Sequence, residues 1–273
     1  MNRKYLMLLV FVALLTNTYA QKPSSIKIPT DSEEIEVEPF TRIRLKSQAT
    51  VHLIQQEGPQ QVFIQAAPEV LEKVVTEVYK ETLNLDIQPK SRFSMPPNAT
   101  TTYWIFTEDL EALEVFSSGR ILADAPIHTL ESFQLNVSGS GSIELNALHS
   151  PNFKADVQGS GFILVEELEA DKSQLQLSGS GRMDIAGTTP TAELTLRGTG
   201  VIETTFLEAT ECIATLRGGG NLFCYPLKKL TATLSGTGFI HYRGTPTLNL
   251  KTGNKKQLKP IQTLPPRKSR IQP

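Results

Sequence analysis

Apolar and polar residues alternate along the second half of this chain, and the alternation recurs about every 20 residues. The recurring units align on glycine–any residue–glycine, with an apolar residue two positions before the first glycine and two positions after the second. The first apolar column is Val137, Val157, Leu177, Leu196, Leu216 and Leu234. The second is Ile143, Ile163, Met183, Ile202, Leu222 and Ile240. Because period-two alternation gives a strand one buried face, each unit predicts two strands that bury these columns.

The glycine pairs predict the sharp turn between the two strands of each unit. A sharp turn needs a positive φ or close backbone contact, and glycine allows both. Near-constant spacing indicates one unit stacked on itself. We therefore predict an all-β fold, a right-handed parallel β-helix or solenoid of roughly 20-residue coils about 4.8 Å apart. The pairs, all predicted as structural turn glycines, are Gly139/Gly141, Gly159/Gly161, Gly179/Gly181, Gly198/Gly200, Gly218/Gly220 and Gly236/Gly238.

A second signal, a leucine at the far corner of each coil, is less regular. It occurs in four units, and Thr188 takes its place in the third unit. The four corner leucines are Leu148, Leu168, Leu207 and Leu227.

The first half of the chain lacks this period but is also rich in short alternating stretches. We predict that residues 36–118 form a β-rich cap over the first coil, with a helical turn from Pro68 and paired strands at Val74–Tyr79 and 83–87. The coils are predicted to span residues 119–247, because Gly119 lies 20 residues before Gly139. Residues 21–35 are predicted to be a linker, and residues 248–273 a basic, proline-containing disordered tail.

The first 20 residues have the organisation of a secretory signal peptide. Arg3 and Lys4 precede an apolar run of eleven residues, and Thr18 and Ala20 suit cleavage before Gln21. A bilayer span needs about 20 apolar residues, so this run is too short to be one. The prediction is a chain exported by a cleaved signal peptide, without a transmembrane span, to the periplasm, the cell surface or the medium.

Charge is distributed unevenly along the chain. Residues 21–250 contain 18 basic and 28 acidic side chains, whereas residues 251–273 contain 7 basic and no acidic ones. An acidic body opposes nucleic-acid binding. The basic stretch is expected to be solvated, and contact with anionic envelope polymers or lipid headgroups remains the alternative.

Several segments resemble the head GIN domain family of auto-transporter adhesins, over about residues 36–247. They are Phe40-Thr-Arg-Ile-Arg-Leu, Val51-His-Leu-Ile, Leu83-Asn-Leu-Asp-Ile, the Ser-Gly-Ser-Gly turns and the closing Leu234-Ser-Gly-Thr-Gly-Phe-Ile-His-Tyr-Arg-Gly-Thr-Pro. The resemblance implies a bacterial secreted or surface protein with a β-helical body and no catalytic residues. We therefore expect a non-enzymatic, adhesin-like binding or structural module, whose partner is a glycan or an envelope protein.

A carbohydrate-active β-helix enzyme, a polysaccharide lyase or hydrolase, is the alternative function. Asp184 and Glu203 are expected to stack on adjacent coils about 5 Å apart, which suits a retaining glycosidase pair. The competing interpretation is an exposed polar column that is acidic at two positions. The four histidines, His52, His128, His149 and His241, lack metal-ligand spacing. The sequence therefore predicts no catalytic residue, metal or cofactor.

Two pairs of side chains beside the turns form a candidate binding face. Arg197 and Arg217 immediately precede their glycine turns, and Phe162 and Phe239 immediately follow theirs. Arginine and aromatic residues are typical of binding hot spots. Ordinary surface decoration is the competing interpretation.

Cys212 and Cys224 are the only two cysteines. Both fall at inward positions of one coil, where a free cysteine behaves as a small apolar residue. Export favours a disulfide, but the two residues lie seven and five positions from Gly219 and are therefore offset. We predict two free buried thiols, with a disulfide as the open alternative.

Overall fold

The computed structural model describes residues 28–88 and 100–263. They form a nearly all-β solenoid of stacked parallel coils of about 20 residues, with about 7 turns. This confirms the predicted architecture. The predicted signal peptide lies outside the described residues.

The described residues contain 21 strands and two short helices. A four-residue helix, α1, spans Pro68–Leu71 with proline in its first turn, where its missing N–H costs no hydrogen bond. A 3-10 helix spans Lys255–Gln257. The strands are β1 Glu33–Ile35, β2 Arg42–Leu45, β3 Thr50–Gln55, β4 Gln61–Ala66, β5 Val74–Tyr79, β6 Thr82–Ile87, β7 Thr101–Thr107, β8 Ala112–Val115, β9 Arg120–Ala123, β10 Ile127–His128, β11 Ser132–Gly139, β12 Ser142–His149, β13 Asn152–Gly159, β14 Phe162–Glu169, β15 Lys172–Gly179, β16 Arg182–Gly198, β17 Val201–Gly218, β18 Asn221–Gly236, β19 Phe239–Tyr242, β20 Thr247–Thr252 and β21 Leu258–Pro260.

Two long faces meet at the glycine turns. The first face runs β5–β6–β2–β8–β11–β13–β15 and continues through β16, β17 and β18 to β20. The second runs β1–β4–β7–β3–β9–β12–β14 and continues through the same three long strands to β19 and β21. Strands β16, β17 and β18 therefore contribute to both faces, bending around the far corner of the coil.

The two predicted apolar columns form the centre of the core. Val137 pairs in register with Val157, and the same register continues through each later coil to Leu234. The column that begins at Ile143 is equally regular. Every member of both columns is at most 2 % exposed. The 20-residue period therefore places equivalent apolar residues of successive coils side by side in the core.

The first glycine of each pair has the turn geometry that the sequence predicts. All six first glycines have a positive φ, between 110° and 132°. Residues with a side chain rarely adopt this conformation, so the turn requires glycine at this position.

The second glycine of each pair meets the other requirement predicted for the turn, close contact between stacked backbones. These second glycines have no positive φ, and all six are buried: Gly141, Gly161, Gly181, Gly200, Gly220 and Gly238. A Cβ on Gly141 would clash with the Gly119 carbonyl oxygen and with Val115 Cγ1, and a Cβ on Gly161 would clash with Val137 Cγ1. The second glycine is therefore needed because successive coils approach closely, and the left-handed backbone belongs to the first glycine alone.

The first coil in the sequence is not at the end of the stack. Strands β2 and β3 lie between the coil made by β6 and β7 and the coil made by β8 and β9, with all these pairings parallel. The intervening chain folds back antiparallel through β4 and through the predicted β5–β6 hairpin, which turns at Lys80 and Glu81 with positive φ. The end of the solenoid is thus closed by antiparallel strands β1, β4 and β5.

The predicted corner column is wrong at two positions. Gly187, not Thr188, pairs with Leu168 and Leu207, and its positive φ of 128° fits a bulge in β16. Leu227 leaves the column and is 47 % exposed. The cause is a register shift between β17 and β18, which pair at Thr204↔Cys224 and next at Glu208↔Tyr225. The last long coil is therefore shorter at the corner, and its leucine is displaced outward.

The prediction of a disordered segment from residue 248 is also wrong as far as residue 260. Strand β20 adds to β18, and β21 adds to β19. Leu258 is 9 % exposed and extends the core. The Gln257 side-chain amide donates to the carbonyl oxygens of Gly236 and Gly238, at 3.0 and 2.9 Å. These backbone and side-chain hydrogen bonds order the segment, although its polar, basic composition predicts disorder. Residues 264–273 lie outside the described residues.

Candidate functional site

A groove runs along the far corner of the solenoid, opposite the glycine turns. Its volume is about 670 Å³, and it is lined by residues from β10 at one end to β18 at the other. The corner is where coil length varies and where register shifts interrupt the pairing of β14 with β16 and of β16 with β17. The concave surface thus lies at the irregular corner of the coils.

One row of polar side chains follows the groove from coil to coil. The residues pair in register, so neighbours are separated by about 4.8 Å. Most of the row is exposed, and its carboxylates belong to Glu169 and Glu208. In order along the solenoid the row is His128, His149, Glu169, Thr188 and Glu208.

The two histidines of this row interact with each other and with the adjacent acid. The rings of His128 and His149 stack with centroids 4.5 Å apart and planes 7° apart. His149 Nδ1 lies 2.8 Å from Glu169 Oε2. Partial burial lowers the pKa of His128, and the neighbouring His149 lowers it further, whereas Glu169 acts in the opposite direction. The row is therefore a polar ladder in which His128, His149 and Glu169 are connected by direct contacts, and its outermost histidine favours the neutral form.

A parallel row along the same groove is largely apolar. It includes Leu130 at one end and Leu227 at the other, with Pro151, Asp171, Pro190 and Thr210 between them. Leu130 is 95 % exposed and Leu227 is 47 % exposed, so the row presents apolar side chains to solvent. The groove thus offers polar contacts along one side and mainly apolar contacts, with Asp171 among them, along the other, a combination typical of binding sites.

The predicted binding face is only partly assembled. Arg197 and Arg217 pair in register on adjacent coils and are exposed. Phe162 and Phe239 share one column but are four coils apart, about 19 Å, so they do not form one patch with the arginines. The Phe239 ring lies 5.7 Å from Lys259 Nζ and 6.2 Å from the His241 ring. Binding by these residues stays a prediction.

The predicted carboxylate pair is adjacent, as Asp184 pairs in register with Glu203. Each carboxylate has local partners. Asp184 Oδ1 lies 2.6 Å from Arg182 Nε, and Glu203 accepts hydrogen bonds from the backbone N–H and the hydroxyl of Thr205. Neither carboxylate lines the corner groove. These contacts support a structural role for the pair.

The remaining histidines lie elsewhere on the outer surface of the second face. His52 stacks on Trp104 at 5.8 Å, and His241 stacks on Phe223 at 4.5 Å. Partial burial lowers the pKa of both histidines. In the part of the chain that the structure describes, no three His, Cys, Asp or Glu side chains are grouped to hold a metal ion.

Cys212 and Cys224 are free thiols in the structure, and each is 1 % exposed. Cys212 pairs in register with Ala192 and Leu230, and the Cys224 thiol donates to the His241 carbonyl oxygen at 3.6 Å. A hydrogen bond with Cys212 raises the pKa of the Cys224 thiol well above its ordinary value, and burial acts in the same direction. The Cys224 sulfur is therefore not a reactive thiolate in the folded chain, and burial shields the Cys212 sulfur from reagents.

We expect both thiols to resist alkylation in the folded protein and to react only after denaturation. Intact mass before and after denaturation, with iodoacetamide and no reductant, measures this directly. Two added carbamidomethyl groups after unfolding are the expected result. A mass two units below that of the reduced chain, without alkylation, would instead demonstrate a disulfide.

The geometry defines a β-solenoid with a groove along its far corner. Comparison with known proteins identifies the family. Residues 39–246 match the family model described as "Putative auto-transporter adhesin, head GIN domain". Because the match covers most of the chain, the protein belongs to this family. Comparison with curated proteins found no match. Within residues 28–88 and 100–263, no helix is long and apolar enough to cross a membrane.

Solved structures of similar fold include proteins from two Parabacteroides species. A "putative lipid binding protein" from Parabacteroides distasonis has a TM-score of 0.77 and 21% identity, covering 85% of this chain and 96% of its own. A "putative adhesin" from the same species also has a TM-score of 0.77, with 19% identity and coverage of 84% and 96%. A "putative adhesin" from Parabacteroides merdae has a TM-score of 0.69, with 19% identity and coverage of 85% and 95%. At these identities the comparison establishes the fold alone.

The structure reveals a groove that the sequence analysis did not predict. In the sequence the four histidines show no common spacing, yet in the structure His128 and His149 stack face to face. The signal available in the sequence was their separation of 21 residues, about one coil. The apolar row was also missed, because the sequence pattern assigned Leu227 to the core. A register shift between β17 and β18 displaces Leu227 outward instead.

Proposed function

We propose that this protein is a non-enzymatic, adhesin-like binding module of the bacterial cell envelope, which holds an extended partner along the corner groove. The groove carries the proposal, because it combines a polar ladder and an apolar row over several coils. The family and the predicted signal peptide support export to the periplasm, the cell surface or the medium. The partner class is a glycan or an envelope protein.

A carbohydrate-active enzyme is a weaker candidate. Its support is the adjacency of Asp184 and Glu203, but both side chains are held by Arg182 and Thr205 outside the groove. A glycosidase acid must exchange a proton with the leaving group, and a retaining nucleophile must reach the sugar ring. Side chains fixed against neighbouring residues on an outer sheet face are poorly suited to either role.

Blocking the groove should abolish partner binding without unfolding the protein. Thr188 is exposed at the middle of the polar row, so Thr188→Arg fills the groove with a long charged side chain. We expect at least a tenfold loss of affinity for the recognised partner, measured on a panel of defined glycans, purified envelope proteins and lipid vesicles.

Thr237→Arg is the matched control, because Thr237 is exposed at a glycine turn away from the groove. A double variant, Arg197→Ala with Arg217→Ala, tests the turn face separately. Loss of binding in the arginine variant with full binding by Thr188→Arg would move the site to that face. Release of soluble sugars from a polysaccharide, abolished by Asp184→Asn and by Glu203→Gln, would establish the enzyme instead.

A further inference from the structure

The corner groove carries a charge that restricts its occupant. Three exposed carboxylates, those of Glu169, Asp171 and Glu208, line it. Among the described residues that line the groove, none is lysine or arginine. The Glu169 side chain is 71% exposed although one oxygen contacts His149. Charge complementarity therefore favours an occupant with basic groups and disfavours an anionic polymer or headgroup.

The spacing of the carboxylates matches an extended polypeptide. Glu169 and Glu208 are two coils apart in one row, a separation of about 10 Å at about 4.8 Å per coil. A chain in the extended polyproline II conformation advances about 3.1 Å per residue with three residues per turn, so basic side chains three residues apart lie on one face, about 9 Å apart, and would meet both carboxylates. Leu130 and Leu227 lie five coils apart, about 24 Å, which accommodates about eight residues of such a chain.

The ring arrangement argues against a glycan as the occupant. Sugar rings generally pack on the open faces of aromatic side chains, because an apolar ring face supplies most of the contact area. In the groove, His128 and His149 cover one face of each other's ring at 4.5 Å, and the described residues that line it include no phenylalanine, tyrosine or tryptophan. The carboxylates suit hydrogen-bond donors and cations better than sugar faces.

We propose that the corner groove binds an extended polypeptide segment with two basic side chains three residues apart. This inference rests on the proposed function, since it names the partner for the same groove. The basic groups pair with Glu169 and Glu208, with Asp171 beside them, and apolar side chains of the segment cover Leu130 and Leu227. The sequence of this chain itself contains such a segment, with Arg267 and Arg270 three residues apart.

A synthetic peptide with the sequence of residues 264–273 is the probe. Its affinity is measured by fluorescence anisotropy for the full chain, in a host variant where Arg267, Lys268 and Arg270 are replaced by Gln to remove internal competition. We expect saturable binding that weakens at least tenfold between 50 and 300 mM salt. A second peptide with Gln at the same three positions should bind at least tenfold more weakly.

The groove variant is Glu169→Gln with Glu208→Gln in the same host. We expect at least a tenfold loss of peptide affinity, while the matched pair Glu33→Gln and Glu77→Gln, both exposed and distant from the groove, leaves affinity unchanged. Thermal unfolding of all variants confirms that they are folded. Equal affinities of the basic and neutral peptides, equal affinities of the two double variants, or no binding of the basic peptide would each overturn the proposal.

Two further ligands separate failure of this inference from failure of the proposed function. Chitosan oligosaccharide is a cationic glycan, and spermidine is a small polyamine cation. Neither ligand has a polypeptide backbone. If Thr188→Arg abolishes binding of chitosan while the peptide does not bind, the groove functions with a different partner and the polypeptide inference is wrong. If Thr188→Arg leaves binding of every recognised ligand unchanged, the groove itself is not the site and both proposals are wrong.

Discussion

Gly218→Ala should lower the free energy of unfolding by about 2–5 kcal/mol, because two costs combine at this position. The φ of Gly218 is +131°, a conformation that L side chains rarely adopt. A Cβ there would also lie against the carbonyl oxygen of Gly198 in the preceding coil. That oxygen accepts hydrogen bonds from the N–H groups of Gly219 and Gly220, both at 3.0 Å, so it cannot move freely.

The adjacent Gly219→Ala is the matched control for this substitution. The nearest atom to a Cβ on Gly219 is the hydroxyl oxygen of Thr237 at 3.3 Å, on a side chain able to rotate. Other coils place serine or threonine at this position, so we expect a change within about 1 kcal/mol, in either direction. Urea-induced unfolding followed by circular dichroism measures both variants. Similar stability of the two variants would show that the turns tolerate side chains at either position.

Leu196→Ala should destabilise the protein by about 2–5 kcal/mol through loss of apolar burial and creation of a cavity. Leu196 is 0 % exposed and lies in register between Leu177 and Leu216. Backbone hydrogen bonds fix the spacing between neighbouring coils. The coils therefore cannot easily move together to fill the cavity left by the shorter side chain. The midpoint of thermal unfolding should fall by roughly 2–4 °C per kcal/mol for a protein of this size.

Leu227→Ala is the control, because Leu227 is 47 % exposed at the corner and buries far less apolar area. We expect a loss within about 1 kcal/mol. A solenoid need not unfold as one unit, so the circular dichroism transition is compared with intrinsic fluorescence of Trp104, near the opposite end. An unchanged unfolding midpoint for Leu196→Ala would contradict the burial of this column.

The residues of the candidate site were predictable to different extents. Arg197 and Arg217 could be placed side by side from sequence, because they occupy the same position relative to successive glycine turns. The corner groove could not be predicted, since the coil length varies most at the corner. A shift of a few residues between β17 and β18 moves Leu227 from the core to the surface, and no local pattern signals such a shift.

The sequence alone determined the coil, its two strands, the inward columns and the position of the turns. These features repeat with a near-constant period, and a buried strand face or a left-handed turn leaves a local signature in residue type. The tertiary structure alone decided the different roles of the two glycines in each pair, the placement of β2 and β3 inside the stack, the added strands β20 and β21, and the stacking of His128 on His149. These features depend on which backbone groups meet across coils, and such pairing is set by the whole stack rather than by any single segment.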